Sequence, residues 1–160
     1  MNICFIPPCI YFLNRYNHDY YRSKKPYLSK RKMRESIRYL QNAKEILAGV
    51  PIEGNSYTDV KPVREAFGTA YLAILEAVKE ALLKKGLVKK ELPKSIDGYR
   101  MAMRKHFAIH NGKLFRDFET LYDELHIAGY YQVLIRDPNT VKGIFKTARN
   151  FIEKIGGKQI

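Results

Sequence analysis

Apolar residues recur at three- and four-residue spacing along most of the chain, the spacing of one face of an α-helix. No stretch follows the strict alternation typical of a half-buried strand. Short segments rich in Gly, Pro, Asn and Ser separate the periodic stretches, and short connections favour antiparallel neighbours. We therefore expect an all-α, up-and-down antiparallel bundle of about five helices. The expected helices are about Arg34–Ala48, Asp59–Lys85, Ile96–His110 and Lys113–Ala128, and a fifth that begins at Asp137-Pro138 and ends before Gly156-Gly157.

Residues suited to helix ends accompany this pattern. Thr58 or Asp59 for the second helix and Asp137 for the fifth are of the type that caps a helix N-terminus, and Pro138 suits a first turn. Gly86 and Gly129 each follow an apolar stripe, where glycine commonly stops a helix. We therefore expect Gly129 to end the fourth helix.

The first 32 residues have a different character from the rest. They hold seven Lys and Arg against one acid, so they carry +6 of the net charge of +13. No helical or strand period runs through them, and Pro7-Pro8 interrupts their one apolar stretch. We interpret 1–32 as an N-terminal tail that is disordered or not part of the native domain, and 33–160 as the folded domain. The alternative is that Met33 is the natural start of the protein.

The tail also contains both cysteines, Cys4 and Cys9. With no His or further Cys close by, they predict free thiols rather than a metal site. No Lys or Arg precedes the apolar stretch and no small-residue cleavage site follows it, which argues against a secretory signal. No apolar run is long enough to span a bilayer. We expect a cytoplasmic protein without membrane contact and without a cofactor.

The charge permits an anionic partner. Residues 33–160 carry 22 basic and 15 acidic side chains, a moderate excess of +7. Such an excess suits contact with RNA or a nucleotide, and it is also common on solvated helical surfaces.

Candidate chemistry centres on the third expected helix. His106 and His110 are four residues apart, but no acidic residue on the adjacent turn supplies a third metal ligand, so no metal is predicted. Arg104 could hold a phosphate and His110 could move a proton near pH 7. Those are the minimum requirements for metal-free RNA cleavage. Arg104 and His110 are six positions apart, so on one continuous helix they would point about 240° apart around its axis. The pair would therefore have to converge across a dimer seam or at a helix end.

Three stretches resemble HEPN domains (higher eukaryotes and prokaryotes nucleotide-binding). They are Arg38-Tyr-Leu-Gln-Asn-Ala-Lys-Glu-Ile-Leu47, Asp59-Val-Lys-Pro-Val-Arg-Glu-Ala66 with Ala70-Tyr71, and Leu125-His-Ile-Ala-Gly-Tyr-Tyr131 with the helix to Ile155. Together they cover about 33–155, and they look most like an uncharacterised bacterial branch. The resemblance implies a helical bundle that usually dimerises. Its members include metal-independent ribonucleases, toxins paired with nucleotidyltransferase antitoxins, and non-catalytic RNA or nucleotide binders.

In active members an Arg is followed by a His, with four to six residues between them. The first of these intervening residues is usually Asn, Asp or His. Arg104 and His110 have five intervening residues, but Lys105 departs from the usual second residue. Ala128 stands where the resemblance places the histidine. Arg116-Asp117 supplies the dipeptide, yet His126 follows only after nine intervening residues. The motif is therefore displaced to Arg104 and His110 or lost, and we favour loss. Lys105, Arg116 and His126 remain candidates for nucleic-acid contact.

Three functions follow. The first is a dimeric RNA- or nucleotide-associated module without robust catalysis, of toxin–antitoxin or defence type. The second is a metal-independent ribonuclease that uses Arg104 and His110, and the third is a protein-interaction bundle with no nucleic-acid role.

Four aromatic residues are candidates for a dimer interface or for the core. They are Phe115, Phe118, Tyr130 and Tyr131.

The loss of the motif predicts that the 33–160 domain does not cleave total RNA in the presence of EDTA. Gel analysis of the RNA, with His110→Ala as the matched variant, checks this. Cleavage that survives chelation and disappears in His110→Ala would instead establish the ribonuclease.

Overall fold

The computed structural model describes residues 35–107 and 112–157. Within them the expected all-α bundle is confirmed. The tail 1–32, Cys4, Cys9, Met33 and His110 lie outside the described residues. The elements, in chain order, are α1 (35–48), β1 (Ile52–Glu53), β2 (Ser56–Tyr57), α2 (Val60–Lys84), a 3-10 turn (Lys89–Glu91), α3 (Ile96–Phe107), α4 (Lys113–Leu121), a π-helix (Tyr122–Tyr131) and α5 (Pro138–Ile155).

The helix α2 is the centre of the bundle. Its buried residues lie on several sides, and many of them are alanines, which allow neighbouring helices to approach closely. The π-helix, α3 and α5 all contact it. Asp59 caps its N-terminus by accepting a hydrogen bond from the backbone N–H of Lys61, as the sequence predicts. At its other end Lys84 donates to the carbonyl of Gly156, 3.0 Å away, and so ties the C-terminal ends of α2 and α5 together.

A short antiparallel hairpin connects α1 to α2, and the sequence did not predict it. Two residues per strand are too few to show an alternating pattern. Gly54 and Asn55 form its turn with φ values of 53° and 63°, the left-handed conformation that two-residue hairpin turns need. The backbone N–H of Tyr57 then donates to the carbonyl of Arg136, which joins the hairpin to the start of α5.

The expectation that Gly129 ends the fourth helix is wrong. After Leu121 the chain continues as a π-helix through Tyr131, and the N–H of Gln132 still donates to the carbonyl five residues back, at Ile127. Gly129 serves close packing: a Cβ at this position would overlap the Phe67 ring of α2. Phe67 is fully buried, so its ring has no room to retreat.

A reciprocal contact lies one residue further along both elements. The Tyr130 ring covers Gly68, where an added Cβ would be 2.9 Å from Tyr130 Cδ2. Each element therefore contributes one aromatic ring and the glycine that receives the other ring. We refer to Phe67, Gly68, Gly129 and Tyr130 as the glycine–aromatic interlock.

Among the described helices, none combines the length and the apolar character needed to cross a bilayer.

Gly129→Ala should destabilise the fold by about 1–3 kcal/mol, because the new methyl group meets a buried ring that cannot move. Gly68→Ala is the matched control. Tyr130 is 41% exposed and can swing aside, so the cost should stay below about 1 kcal/mol. Urea unfolding of both variants measures the difference. Equal destabilisation would show that the interlock is not tight at Gly129.

Candidate nucleic-acid interface

A cleft of about 390 Å³ opens between α1 and α5, next to the hairpin. Apolar side chains form its floor, and cationic side chains stand around it. The floor residues are Leu47, Tyr57, Val141 and Phe145, the cationic residues are Lys44, Lys142, Lys146 and Arg149, and the exposed Ala48 lies at the edge. We refer to this site as the basic cleft.

The periodicity of α5 explains one wall of the basic cleft. Val141 and Phe145 belong to the buried stripe of α5. Lys142, Lys146 and Arg149 follow at intervals of four and three residues, which places them along one exposed side of the same helix. The buried stripe supplies the floor and the exposed side supplies the charge.

The other wall comes from α1. Lys44 is exposed, whereas Leu47 is buried against the core. Ala48 lies at the exposed edge of the cleft, at the end of α1. The small alanine leaves the space above the floor open.

The cations of the basic cleft are poorly neutralised. Arg149 forms an ion pair with Glu153 at 3.1 Å. Lys44, Lys142 and Lys146 form no ion pair with another residue of the described chain. A concave surface lined by one sign of charge concentrates its field and attracts ions of the opposite sign. The cleft is therefore suited to an anion.

Hydrogen bonds at the start of α5 fix the hairpin beside the cleft. Asp137 caps α5 by accepting from the backbone N–H of Thr140 at 2.7 Å and from its hydroxyl at 2.8 Å. The same carboxylate accepts from the Asn55 side chain at 2.6 Å. These bonds, first those from Thr140, lower the pKa of Asp137 below its usual range. Tyr57 is thereby held at the cleft floor.

The structure places the residues predicted from sequence elsewhere. Arg104 and Lys105 are exposed on the last turn of α3, and the Arg104 guanidinium lies 4.9 Å from the centre of the Phe115 ring. Arg116 is exposed in the first turn of α4. Because His110 lies outside the described residues, its convergence with Arg104 stays a prediction. The lining of the basic cleft includes none of these residues.

His126 is half-buried in a stack of rings. Its ring centre lies 4.7 Å from that of Tyr71, 5.4 Å from that of Tyr122 and 5.8 Å from that of Tyr130. Burial, with smaller effects of neighbouring tyrosines, raises the pKa of Tyr71 to about 12. In this place His126 joins the π-helix to α2, and its contact with nucleic acid stays a prediction.

The four aromatic candidates for a dimer interface divide into two kinds. Phe118 is completely buried and completes the core. Phe115 is half-buried beneath Arg104. Tyr130 and Tyr131 are 41% and 71% exposed, so only these two offer substantial ring surface to a partner.

The four cationic residues of the basic cleft do not stand out as a group in the sequence. The 142, 146 and 149 spacing is visible in the sequence and indicates a basic side of α5. Lys44, however, precedes that helix by almost a hundred residues. Only the packing of α1 beside α5 shows that the four residues share one cleft. No group of three His, Cys, Asp or Glu side chains suited to a metal occurs in residues 35–107 and 112–157.

Fold and cleft together define a helical-bundle protein with a concentrated cationic site. The chain belongs to the family described as Domain of unknown function (DUF5618), whose match covers residues 31–157. It is similar to a solved protein of unknown function from Dyadobacter fermentans, with 27% identity and a TM-score of 0.65. That similarity covers 80% of this chain and 95% of the other. No curated protein has a significant match to the chain.

Asp137→Ala should lower stability at neutral pH, because α5 loses its cap and the hairpin loses its anchor. The folded-state pKa of Asp137 is lowered, so its stabilisation is complete above the unfolded-state value of about 3.9 and is lost as pH falls through the folded-state value. Urea unfolding should therefore show a gap between wild type and variant that narrows below about pH 4. Asp137→Asn, which keeps an accepting oxygen but has no carboxylate to titrate, is the control. A gap for Asp137→Ala that is independent of pH would contradict this account.

Proposed function

We propose that the protein is an RNA- or nucleotide-binding module that holds phosphate groups in the basic cleft. The observation that carries the proposal is that four cationic side chains surround the basic cleft. Of these four, only Arg149 has an ion pair within the described chain. Phosphates are the anions that such clusters of Lys and Arg bind most commonly.

The lining of the cleft supports binding rather than catalysis there. Among the described residues, the lining includes no His, Asp or Glu, the residue types that most often transfer protons near neutral pH. Burial raises the pKa of Tyr57 above its usual value near 10, well above the range in which a general base is useful. The site can hold and orient a phosphate, but it lacks an ordinary base to activate a nucleophile.

The sequence resemblance to HEPN domains supports the same class of partner. On that resemblance we further propose a cytoplasmic protein of toxin–antitoxin or defence type, with a nucleotidyltransferase antitoxin as a candidate partner. A homodimer is part of this proposal, and the exposed rings of Tyr130 and Tyr131 support it. Cleavage by Arg104 and His110 and a pure protein-interaction role remain the alternatives.

The double variant Lys142→Gln, Lys146→Gln should weaken the binding of a fluorescent single-stranded RNA by the full chain. Each lost phosphate contact should reduce the slope of log affinity against log salt by about 0.7. Fluorescence anisotropy at several salt concentrations measures the affinity and its slope.

Lys89→Gln, Lys90→Gln is the matched control, because it removes the same charge from exposed lysines that do not line the cleft. It should leave the affinity and the salt slope close to those of the wild type. Equal losses in the two double variants would show that binding follows net charge rather than the cleft. Absence of RNA binding at low salt would overturn the proposed function.

A further inference from the structure

We propose that the basic cleft takes one unpaired nucleotide of a single-stranded nucleic acid, with the base on the apolar floor and its flanking phosphates on the cationic walls. This inference rests on the proposed function and specifies the form of its ligand. It rests on the volume of the cleft, the chemistry of its floor and the position of its charges.

The volume suits one nucleotide. About 390 Å³ lies near the lower end of the range of small-molecule pockets, about 300–1,000 Å³. A duplex keeps its bases paired and stacked inside, so it could touch the cationic rim but could not enter the cleft. Single strands can turn a base outward, and proteins read such bases by packing them against side chains.

The floor explains why a phosphate alone is an incomplete ligand. Leu47, Tyr57 and Phe145 line the cleft, and because each is less than a tenth exposed, only a small patch of their surface is open at its base. An isolated phosphate would stay at the rim and leave that surface in contact with water. The flat face of a base can cover it, since apolar contact with a base does not depend on which base is present.

The charges stand on both sides of the floor. Lys44 belongs to the α1 wall, whereas Lys142 and Lys146 belong to the α5 wall. The two α5 lysines are one helical turn apart, a rise of about 6 Å. A nucleotide within a strand has a phosphate on each side of its sugar, so a base on the floor can be flanked by charge on both walls. This complementarity selects a strand over other apolar ligands.

Ala48→Leu tests the inference without changing the charge. Ala48 is exposed at the end of α1, and a larger side chain there should occupy the cleft while the fold stays intact. Thr147→Leu is the matched control, because Thr147 is exposed on α5 outside the lining of the cleft. Circular dichroism verifies that both variants of the full chain are folded.

Three probes of equal length separate the contributions: a single-stranded RNA, a strand with abasic sites, and a duplex. The wild type should prefer the single strand to the abasic strand by about tenfold, within the range measured for base stacking. Ala48→Leu should reduce the affinity for the single strand to the abasic level and leave abasic binding unchanged. Thr147→Leu should behave as the wild type.

A 2-aminopurine base in the single strand gives a second readout that does not depend on affinity. Its fluorescence at saturation should change on binding to the wild type and should not change on binding to Ala48→Leu. Equal binding of base-containing and abasic strands, or a preference for the duplex, would overturn the inference while leaving phosphate binding intact. If no strand bound in a manner sensitive to Lys142 and Lys146, the proposed function itself would fail.

Discussion

The close approach of α2 and the π-helix is the constraint on which the bundle depends. Phe67 is buried against Gly129, so the two elements cannot shift along one another there without moving its ring onto a backbone that has no space for it, while Tyr130 covers Gly68 from the more exposed side. The wider turns of the π-helix belong to this arrangement, because Tyr122 and His126 both meet Tyr71 of α2 through ring contacts, and Tyr130 stacks on His126. Close packing of this kind leaves little freedom to relax, so the interlock fixes one register between the two elements.

The same constraint reaches the candidate site through a single ring. Phe67 meets Phe145 edge to face, with the ring centres 5.7 Å apart. Phe145 belongs to the floor of the basic cleft, and Lys142 and Lys146 flank it along α5. The packing of Phe67 on Phe145 therefore fixes the position of the cleft floor relative to the core. The cations of α5 are positioned with it, because they lie on the same helix as Phe145. The rest of the lining belongs to α1 and α5, and Tyr57, on β2, is anchored through the hairpin to the start of α5.

Periodicity predicted what depends on local sequence. The five helices, the caps at Asp59 and Asp137 and the end of α5 follow from side chains within a few residues of each feature. Gly129 could not be interpreted in that way, because a glycine that stops a helix and a glycine that admits a ring look the same until the ring is known. The basic cleft could not be predicted for a similar reason, because Lys44 and Lys146 are brought together only by the packing of α1 beside α5. The Arg104 and His110 hypothesis rests on spacing along the chain, and that spacing alone does not bring the two side chains into one cleft.

The net charge of +13 is a weaker argument for a polyanion than the place of four of its cations. Seven of the basic residues precede Met33, and many of the others form ion pairs or stand singly on solvated helix faces. Charge dispersed in this way is screened within about 10 Å at ordinary salt. In the basic cleft, by contrast, cations from two helices line one opening, and of the four only Arg149 forms an ion pair within the described chain, with Glu153. Binding there depends on the concentration of charge over an apolar floor, which is a property of the fold rather than of the composition.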